Sequence, residues 1–346
     1  MPTGQCVQRA RIAQLAGRIT VPNEADVAFL RDLKGDVIIL GAGGKIGPSL
    51  ATLIRRAADL ASVKMRVTAV SRFTSAESRR NLEEAGVTTL SCDLLNPDEI
   101  AQLPVCENVL YLAGRKFGSS GRPDLTWAMN AIAPALAAHQ YRASRVVVFS
   151  TGNVYGMRDF RKGSSKETDA VYPVGEYAQS CLARERVFEY YSNEYKTRCV
   201  IFRLNYAVDL RYGVIVDIAR RVYSGEAVDI TVPEFNVIWQ GDSNSYALRS
   251  FALCDSPPQV LNVTGEQTLR VRDVAERFAK RFGRTCRFQG QDGGSALLSD
   301  AHKCFSLLGK PLVEESQLID WVADWILAGG ESLNKPTHFE VVDGSY

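Results

Sequence analysis

A glycine-rich segment with the spacing of a phosphate cradle follows the first apolar run of the sequence. In Gly41-Ala-Gly43-Gly44-Lys45-Ile46-Gly47, two residues separate Gly41 from Gly44 and Gly44 from Gly47, and an amphipathic stretch follows. Because glycines let the backbone turn tightly, such a segment can approach a pyrophosphate, whose charge the next helix N-terminus stabilises. The segment, including Lys45 and Ile46, therefore predicts a dinucleotide-binding loop.

The residues at the end of the second apolar run indicate whether the bound dinucleotide is NAD or NADP. A carboxylate there usually accepts hydrogen bonds from the adenosine ribose of NAD, but this run ends Val70-Ser71-Arg72. A hydroxyl and a guanidinium suit a ribose 2′-phosphate, because arginine forms a bidentate, charge-assisted pair with phosphate. Ser71 and Arg72 therefore favour NADP over NAD, whereas an Arg72 that only stacks on adenine would leave NAD as the cofactor.

The elements that must position these residues are short apolar runs alternating with amphipathic stretches. The runs are Val37 to Leu40, Met65 to Val70, Val87 to Leu90, Val109 to Leu112, Val146 to Phe149 and Val200 to Phe202. Runs rich in Val and Ile, separated by helical periodicity, are typical of parallel strands buried on both faces. The pattern predicts an α/β protein with a Rossmann-type doubly wound parallel sheet and a smaller C-terminal α+β substrate lobe.

Changes in this pattern along the chain predict its domain organisation. Residues 1–35 precede the first strand and are interpreted as an N-terminal extension. Residues 36–205, with part of 236–263, are assigned to the dinucleotide-binding Rossmann domain. Residues 206–330 mainly form the substrate lobe, and residues 331–346 an irregular C-terminal tail.

Composition and charge favour a small-molecule partner. Lysine and arginine number 41 against 39 acidic residues, with no long basic run, so we expect no nucleic-acid or anionic membrane surface. No apolar run approaches the ~20 residues of a membrane span, and the polar first residues resemble no signal peptide, which predicts a cytoplasmic protein. The 8 cysteines contain no C-x-x-C pair and the 3 histidines are far apart, which argues against a disulfide framework or a metal site.

Further motifs follow the apolar runs in a fixed order. They are Cys92-Asp93-Leu94, Leu112-Ala113-Gly114, Asn130 in the next amphipathic stretch, Ser150-Thr151-Gly152-Asn153-Val154-Tyr155-Gly156 and Tyr177-Ala-Gln-Ser-Cys181. Together with the G-x-x-G-x-x-G spacing, they resemble the extended short-chain dehydrogenases/reductases, also described as NAD-dependent epimerases/dehydratases. The resemblance covers about residues 36–330.

The resemblance implies a division of labour among these residues. Thr151 would bind the reacting hydroxyl or carbonyl, and Tyr177 would exchange its proton. These types suit the chemistry, because hydride leaves a carbinol carbon only as its O–H proton is removed. Implied cofactor contacts are Asp93, Leu94, Ala113, Gly114, Lys116, Asn130, Tyr177 and Asn205. Implied substrate contacts are Lys116, Thr151, Asn153, Tyr177, Asn205 and Trp239.

One position departs from the family pattern. Relatives usually carry lysine four residues after the tyrosine, on the same helix face, where it lowers the tyrosine pKa and holds the nicotinamide ribose. This chain has Cys181 there, at a position counted with Tyr177 and Thr151 as catalytic. A positive charge ~4 Å away is worth ~4 kcal/mol at an effective dielectric of ~20, so its loss should leave Tyr177 a poor base near neutrality.

Three interpretations of this departure stay open. Another cation could fill the role, and the candidates are Arg184, one turn further along the helix, and Lys116, after the fourth strand. The positive charge of oxidised nicotinamide could suffice alone. Alternatively, the chain could have lost catalysis and kept binding. Cys181 as a nucleophile is a weaker hypothesis, since free cysteines are commonly small buried apolar residues.

The substrate lobe gives a hint about the substrate. Relatives acting on nucleotide-diphosphate sugars tend to place an arginine about seven residues before a helix-starting aspartate, but residues 234–242 contain none. Phe235, Asn236, Trp239 and Gln240 in this segment suit a small neutral or weakly polar polyol, since aromatic faces cover sugar C–H groups and amides bind hydroxyls. Phe235 and Trp239 could equally be lobe core.

The sequence therefore predicts an NAD(P)-dependent oxidoreductase or epimerase acting at a secondary carbinol or ketone of a sugar, sugar acid or similar polyol that is not nucleotide-linked. One rival is a catalytically silent dinucleotide-binding sensor or scaffold. The other is a nucleotide-sugar epimerase or dehydratase with an unusual phosphate clamp. Expected partners are the sugar-like small molecule and a second copy of the chain in a homodimer.

Overall fold

The computed structural model describes residues 4–119 and 121–344 of the chain. The strands are β1 (Val37–Leu40), β2 (Val67–Ser71), β3 (Thr88–Ser91), β4 (Asn108–Tyr111), β5 (Arg145–Thr151), β6 (Arg158–Asp159), β7 (Arg198–Leu204), β8 (Ala207–Val208), β9 (Ala227–Asp229), β10 (Glu234–Phe235), β11 (Ile238–Trp239), β12 (Gln259–Val263), β13 (Leu269–Arg270), β14 (Arg287–Gln289) and β15 (Ser295–Ala296). The helices are α1 (Gly4–Gly17), α2 (Glu24–Asp32), α3 (Gly47–Leu60), α4 (Ala76–Glu84), α5 (Pro97–Ala101), α6 (Pro123–Trp127), α7 (Ala133–Gln140), α8 (Gly175–Tyr195), α9 (Val214–Ser224), α10 (Gln240–Arg249), α11 (Val271–Phe282), α12 (His302–Leu308) and α13 (Glu315–Leu327).

Seven parallel strands form the central sheet in the order β12-β7-β5-β4-β1-β2-β3. From β1 the chain builds outward to β2 and β3 on one side, and from β4 outward to β5 and β7 on the other. The direction of winding therefore switches between β1 and β4, where Rossmann folds place their ligand crevice. This arrangement confirms the predicted α/β fold with a Rossmann-type doubly wound sheet.

Helices cover both faces of the sheet because its strands are apolar on both faces. Along β1, Ile39 packs into a cluster with Leu50 of α3, whereas Ile38 and Leu40 pack into a second cluster with Ala137 of α7. Alternate residues of one strand thus enter cores on opposite sides, as expected for a buried parallel strand. Both cores fix the strand ends that carry the loops described below.

A smaller lobe packs against the carboxyl side of the sheet. Its core is formed by α9, α11 and α13 together with short strands, and Phe235 and Trp239 lie inside this core. The strand pairs β9–β14, β10–β13 and β8–β11 complete it.

Described residues near both ends of the chain pack onto these two parts. From the first 35 residues, Leu15 contributes to the core of the lobe, and Leu30 of α2 to a core of the main sheet. After α13, the described residues up to 344 contain no helix or strand. Thr337 and Phe339 of this segment are nevertheless buried, which brings the segment over the site described next.

Candidate functional site

Two adjoining cavities lie along the carboxyl edge of the sheet. The glycine-loop cavity, of about 260 Å³, is lined by residues that follow β1, β2, β3 and β4. The Tyr177 cavity, of about 250 Å³, lies between the sheet, the start of α8 and the lobe. Leu112 and Gly114 line both cavities, so the two form one continuous cleft at the switch point of the sheet.

The glycines between β1 and α3 have different roles. Gly41 has φ +90°, and a Cβ there would lie 2.5 Å from the Ala113 nitrogen. A Cβ on Gly47 would lie 2.3 Å from the Ala42 carbonyl oxygen, so this glycine allows α3 to pack closely on the loop. By contrast, a Cβ on Gly44 would meet only the Gly41 oxygen at 3.5 Å. Gly44 therefore faces the cavity, and a side chain there would fill space that an incoming ligand needs.

This difference allows a test that separates binding from folding. Gly44→Val is expected to abolish measurable dinucleotide binding without lowering the melting temperature by more than a few degrees, because the added side chain enters the cavity. Gly47→Val is the matched control and should destabilise the protein through its clash with Ala42. Calorimetric titration and thermal unfolding give both readouts. Unchanged dinucleotide binding by a folded Gly44→Val variant would show that the glycine loop does not bind the dinucleotide.

The lining of the glycine-loop cavity contains several polar side chains. They are Ser71, Arg72 and Asp93, with Thr74, Ser75 and Ser78 near the start of α4, and they line it together with Gly43, Leu94 and Ala113. Arg72 is exposed at the cavity mouth. Ser75 caps α4, accepting a 3.2 Å hydrogen bond from the Ser78 nitrogen. The structure thus gathers most predicted cofactor contacts around one cavity.

Tyr177 and Thr151 meet in the second cavity. Thr151 ends β5, and Tyr177 lies in the first turn of α8. The Tyr177 side chain is half-buried and hydrogen-bonded to Thr151. The Thr151 hydroxyl also accepts bonds from the Asn153 backbone nitrogen at 3.2 Å and the Asn153 amide at 3.1 Å. A phenol and a hydroxyl therefore face the same space, an arrangement that can bind one substrate oxygen and exchange its proton.

Burial raises the pKa of Tyr177 well above 10, and the nearby Arg184 guanidinium opposes this by favouring the tyrosinate. The phenol is therefore protonated at neutral pH. In this state Tyr177 is ready to donate a proton and poorly suited to accept one.

Cys181 is not a candidate for direct chemistry, contrary to its predicted place among the catalytic positions. It is fully buried, packs against Val154 and Tyr155, and contacts the cleft only through a hydrogen bond with Tyr177. Burial raises the pKa of the thiol. Cys181 is therefore a neutral, inaccessible packing residue beneath Tyr177.

Arg184 brings a positive charge to this position from the next turn of α8. Its guanidinium donates to the Phe149 carbonyl and to Asn130 Oδ1, both at 2.8 Å. It lines the Tyr177 cavity beside Gly114, where a Cβ would come within 2.4 Å of Arg184 Nη2. Of the two cations considered from the sequence, Arg184 has its orientation fixed by two buried acceptors.

Asn130 supports this arrangement and does not contact the cleft, so its prediction as a cofactor contact is corrected. The residue is fully buried in a π-helical turn between α6 and α7. Its oxygen accepts from Arg184 and the Arg115 nitrogen, and its amide donates to the Arg115 carbonyl and Ser180. Because all four hydrogen-bonding positions of the amide are used, Asn130 serves to hold Arg184 and the loop after β4.

Trp239 was predicted to contact substrate, and the structure corrects this. Trp239 is 3% exposed and packs edge-on against Trp321 at 5.5 Å, inside the lobe core. Phe235 and Gln240 are fully buried, and the Asn236 amide donates to the Ser299 carbonyl. Phe235 and Trp239 therefore belong to the lobe core, and the Gln240 amide donates to Ser49 Oγ of α3 at 2.8 Å. The argument for a neutral polyol drawn from them therefore no longer holds.

Predicted and unpredicted residues share the lining of the Tyr177 cavity. The predicted ones are Lys45 and Ile46 of the glycine loop, Lys116 and Asn205, and the ones that no sequence motif identified are Tyr212 and Thr337. Thr337 belongs to the segment after α13, where no periodicity or motif signals a functional residue. Asn205 donates to Asn236 Oδ1 at 2.8 Å and so ties the cavity wall to the lobe.

Within residues 4–119 and 121–344, no three His, Cys, Asp or Glu side chains are grouped so as to hold a metal ion. None of the described helices is both long enough and apolar enough to cross a membrane.

Sequence and structure comparisons place the chain among known proteins. The sequence model described as the NAD dependent epimerase/dehydratase family matches residues 37–243. No curated protein matches the chain.

Solved structures share its fold. The UDP-glucose 4-epimerase of Thermotoga maritima, determined with UDP-glucose, has a TM-score of 0.70 at 17% identity, covering 85% of this chain and 99% of its own. The UDP-glucuronic acid 4-epimerase of Bacillus cereus with NAD gives 0.69 at 17%, covering 84% and 98%. The UDP-glucose 4-epimerase of Thermus thermophilus with NAD gives 0.67 at 20%, covering 84% and 98%. At these identities the likeness shows a common fold.

Proposed function

Because this chain belongs to the NAD-dependent epimerase/dehydratase family, we propose that it is an NAD(P)-dependent oxidoreductase or epimerase. Its substrate would carry a secondary carbinol or ketone on a sugar, sugar acid or similar polyol. The observation that carries the proposal is the placement of Tyr177 and Thr151 in a cavity continuous with the glycine-loop cavity.

The residues present fit a dinucleotide along the cleft. Gly44 leaves open space beside the loop, next to the N-terminus of α3, which suits a pyrophosphate. Ser71, Arg72 and Asp93 would hold the adenosine end, and Gly114 lies where the two cavities join. When bound, the nicotinamide supplies the carbon that accepts or returns hydride.

The protein's own side chains would manage the substrate oxygen. Thr151, oriented by Asn153, would hydrogen-bond this oxygen, and the protonated Tyr177 phenol would donate to it as a ketone is reduced. In the oxidation direction, Tyr177 must first lose its proton. Arg184 would assist that loss, because a cation beside the phenol stabilises the tyrosinate.

We further propose that NADP is preferred to NAD. The support is that β2 ends in Ser71-Arg72 without a carboxylate, and that Arg72 lies at the mouth of the glycine-loop cavity. A charge-assisted pair with a 2′-phosphate is worth about 1.5–3 kcal/mol, or about 10- to 100-fold in affinity.

The preference is tested by titrating both dinucleotides. Wild type should bind NADP(H) about 10- to 100-fold more tightly than NAD(H), and Arg72→Ala should narrow this gap by weakening NADP(H) alone. The control, Arg31→Ala at an exposed position of α2, should change neither affinity. Equal affinities in wild type would contradict the NADP assignment.

A second candidate is a nucleotide-sugar epimerase. It is favoured by the structural neighbours, since one was determined with UDP-glucose and others are named as UDP-sugar epimerases. Turnover of free sugar acids, polyols and UDP-sugars by the same preparation discriminates the two candidates. Dinucleotide binding without turnover of any of them would favour a silent binding protein.

A further inference from the structure

Two lysines enter the Tyr177 cavity from different elements. Lys45 belongs to the glycine loop between β1 and α3, and its ammonium donates a 2.6 Å hydrogen bond to the Ala207 carbonyl. Lys116 follows β4, and its ammonium donates to the Thr337 carbonyl at 3.3 Å and lies 5.8 Å from the centre of the Tyr177 ring. Both side chains are half-buried. The cavity that holds the proton-exchanging phenol therefore also holds two ammonium groups.

Lys45 is on the substrate side of the glycine loop. It lines the Tyr177 cavity and lies 4.2 Å from the centre of the Tyr212 ring, whereas Gly41, Gly43 and Gly44 line the glycine-loop cavity. A lysine that held the cofactor pyrophosphate would be expected on the side of those glycines. The position of Lys45 favours a ligand in the Tyr177 cavity.

The carboxylates of Asp209 and Asp217 interact electrostatically with Lys45, and each also has another partner. Asp209 pairs with Arg211, with oxygen and nitrogen 2.6 Å apart. Asp217 of α9 accepts two hydrogen bonds from Thr337, at 2.8 Å from its nitrogen and 2.6 Å from its hydroxyl. Within the described part of the chain, no carboxylate forms an ion pair with Lys45.

The remaining charged and titratable neighbours complete the electrostatic environment. Arg184 and Tyr177 line the cavity from α8, the buried Cys181 lies beneath Tyr177, and the Glu340 carboxylate of the C-terminal segment interacts electrostatically with Lys116. Burial lowers the pKa of Lys45 to about 7 and that of Lys116 to about 8. At Lys45 the charges of Arg211 and, to a smaller extent, Lys116 add to the lowering, whereas Asp209 and Asp217 oppose it. An anion between the two ammonium groups would offset the cost of burying their charges and reduce the repulsion between them.

We propose that Lys45 and Lys116 form an anion-binding subsite for the substrate, so that the sugar acted on in this cavity carries a carboxylate or a phosphate. This rests on the proposed function and narrows its substrate class from polyols in general to anionic sugars. Lys45 would bind the anion from the glycine loop, and Lys116 from the side of Tyr177. Binding of the anion would thereby position the substrate carbinol beside Tyr177.

The proposal is tested by measuring sugar affinities on protein that is saturated with dinucleotide. The anionic and nucleotide-linked probes are glucuronate, gluconate, glucose 6-phosphate and UDP-glucose, and the neutral probes are glucose and sorbitol. At least one anionic monosaccharide should bind about 10- to 100-fold more tightly than both neutral probes, the scale of a charge-assisted hydrogen bond. Lys45→Met and Lys116→Met should each remove most of this difference while leaving dinucleotide affinity unchanged. The control, Lys162→Met at an exposed site, should leave it intact.

The pH dependence of binding distinguishes a carboxylate from a phosphate as the bound anion. Binding of a carboxylate should weaken steadily as the pH rises from about 6 to about 9, because the two ammonium groups lose their protons in that range. Binding of a phosphate should first strengthen as its second proton leaves near pH ~6, and then weaken.

Three outcomes would overturn the proposal. Neutral and anionic sugars could bind equally well, UDP-glucose alone could bind, or the lysine variants could lose dinucleotide affinity, in which case the lysines serve the cofactor. Failure of the proposed function is distinguishable, because wild type would then bind no dinucleotide or would turn over no sugar despite binding it.

Discussion

Tyr177→Phe is expected to lower the rate of sugar oxidation or epimerisation about 10²- to 10⁴-fold, the usual contribution of a positioned proton-exchanging group. The substitution removes one oxygen and keeps the ring, so the shape of the cavity and the packing of α8 should persist. Dinucleotide affinity and melting temperature should therefore stay near their wild-type values. Steady-state kinetics, calorimetric titration and thermal unfolding measure the three quantities.

The matched control is Tyr172→Phe, which removes the same oxygen from a side chain that is 70% exposed. This variant should keep wild-type kinetics. Full activity in Tyr177→Phe would show that the proton-transfer role is wrongly assigned, whatever the dinucleotide affinity of that variant.

Arg184→Met is expected to reduce carbinol oxidation about 10²-fold at neutral pH and to move the midpoint of its pH–rate profile upward by at least about one unit. The sign follows from the charge. Arg184 favours the tyrosinate form of Tyr177, so its loss raises an already elevated pKa and leaves less tyrosinate at any given pH. Ketone reduction uses the protonated phenol and should be affected less.

The comparison needs variants that separate charge from packing. Arg184→Lys retains the charge and should recover part of the oxidation rate, while unfolding measurements report the loss of the bonds to Asn130 and Phe149. Cys181→Lys in the wild-type background should help little, because a cation is already present. If Lys116→Met shifts the profile and Arg184→Met does not, Lys116 is the supporting cation and this account of Arg184 is wrong.

The Rossmann architecture could be predicted because its signals are local. Buried parallel strands need continuous apolar runs, and the first run coincides with β1, Val37–Leu40. Strand ends were harder to predict. β5 extends to Thr151 and β7 from Arg198 to Leu204, beyond their apolar runs, because pairing with neighbouring strands continues through polar residues.

The predictions that failed at the site concern long-range packing. Sequence spacing places Cys181 one turn from Tyr177, but it does not reveal that the thiol faces the core. The indole of Trp239 is of a type that can cover a sugar face, but it is buried by lobe helices whose residues lie far from it in the sequence. No sequence pattern marks Thr337 as a cavity residue, because it lies in an irregular segment whose position depends on hydrogen bonds to Asp217.

In the proposed reaction, a bound nicotinamide exchanges hydride with the sugar, and Tyr177 exchanges the proton of the sugar oxygen, within the cleft formed by the two cavities. The most direct test of this reaction is rapid mixing of the oxidised dinucleotide complex with anionic, neutral and UDP-linked sugars, following the absorbance of reduced nicotinamide within a single turnover. We expect reduced nicotinamide to form with at least one anionic sugar in wild type, and to form at least about 10²-fold more slowly in Tyr177→Phe. Dinucleotide binding with no reduced nicotinamide from any sugar, or equal rates in the two proteins, would contradict it.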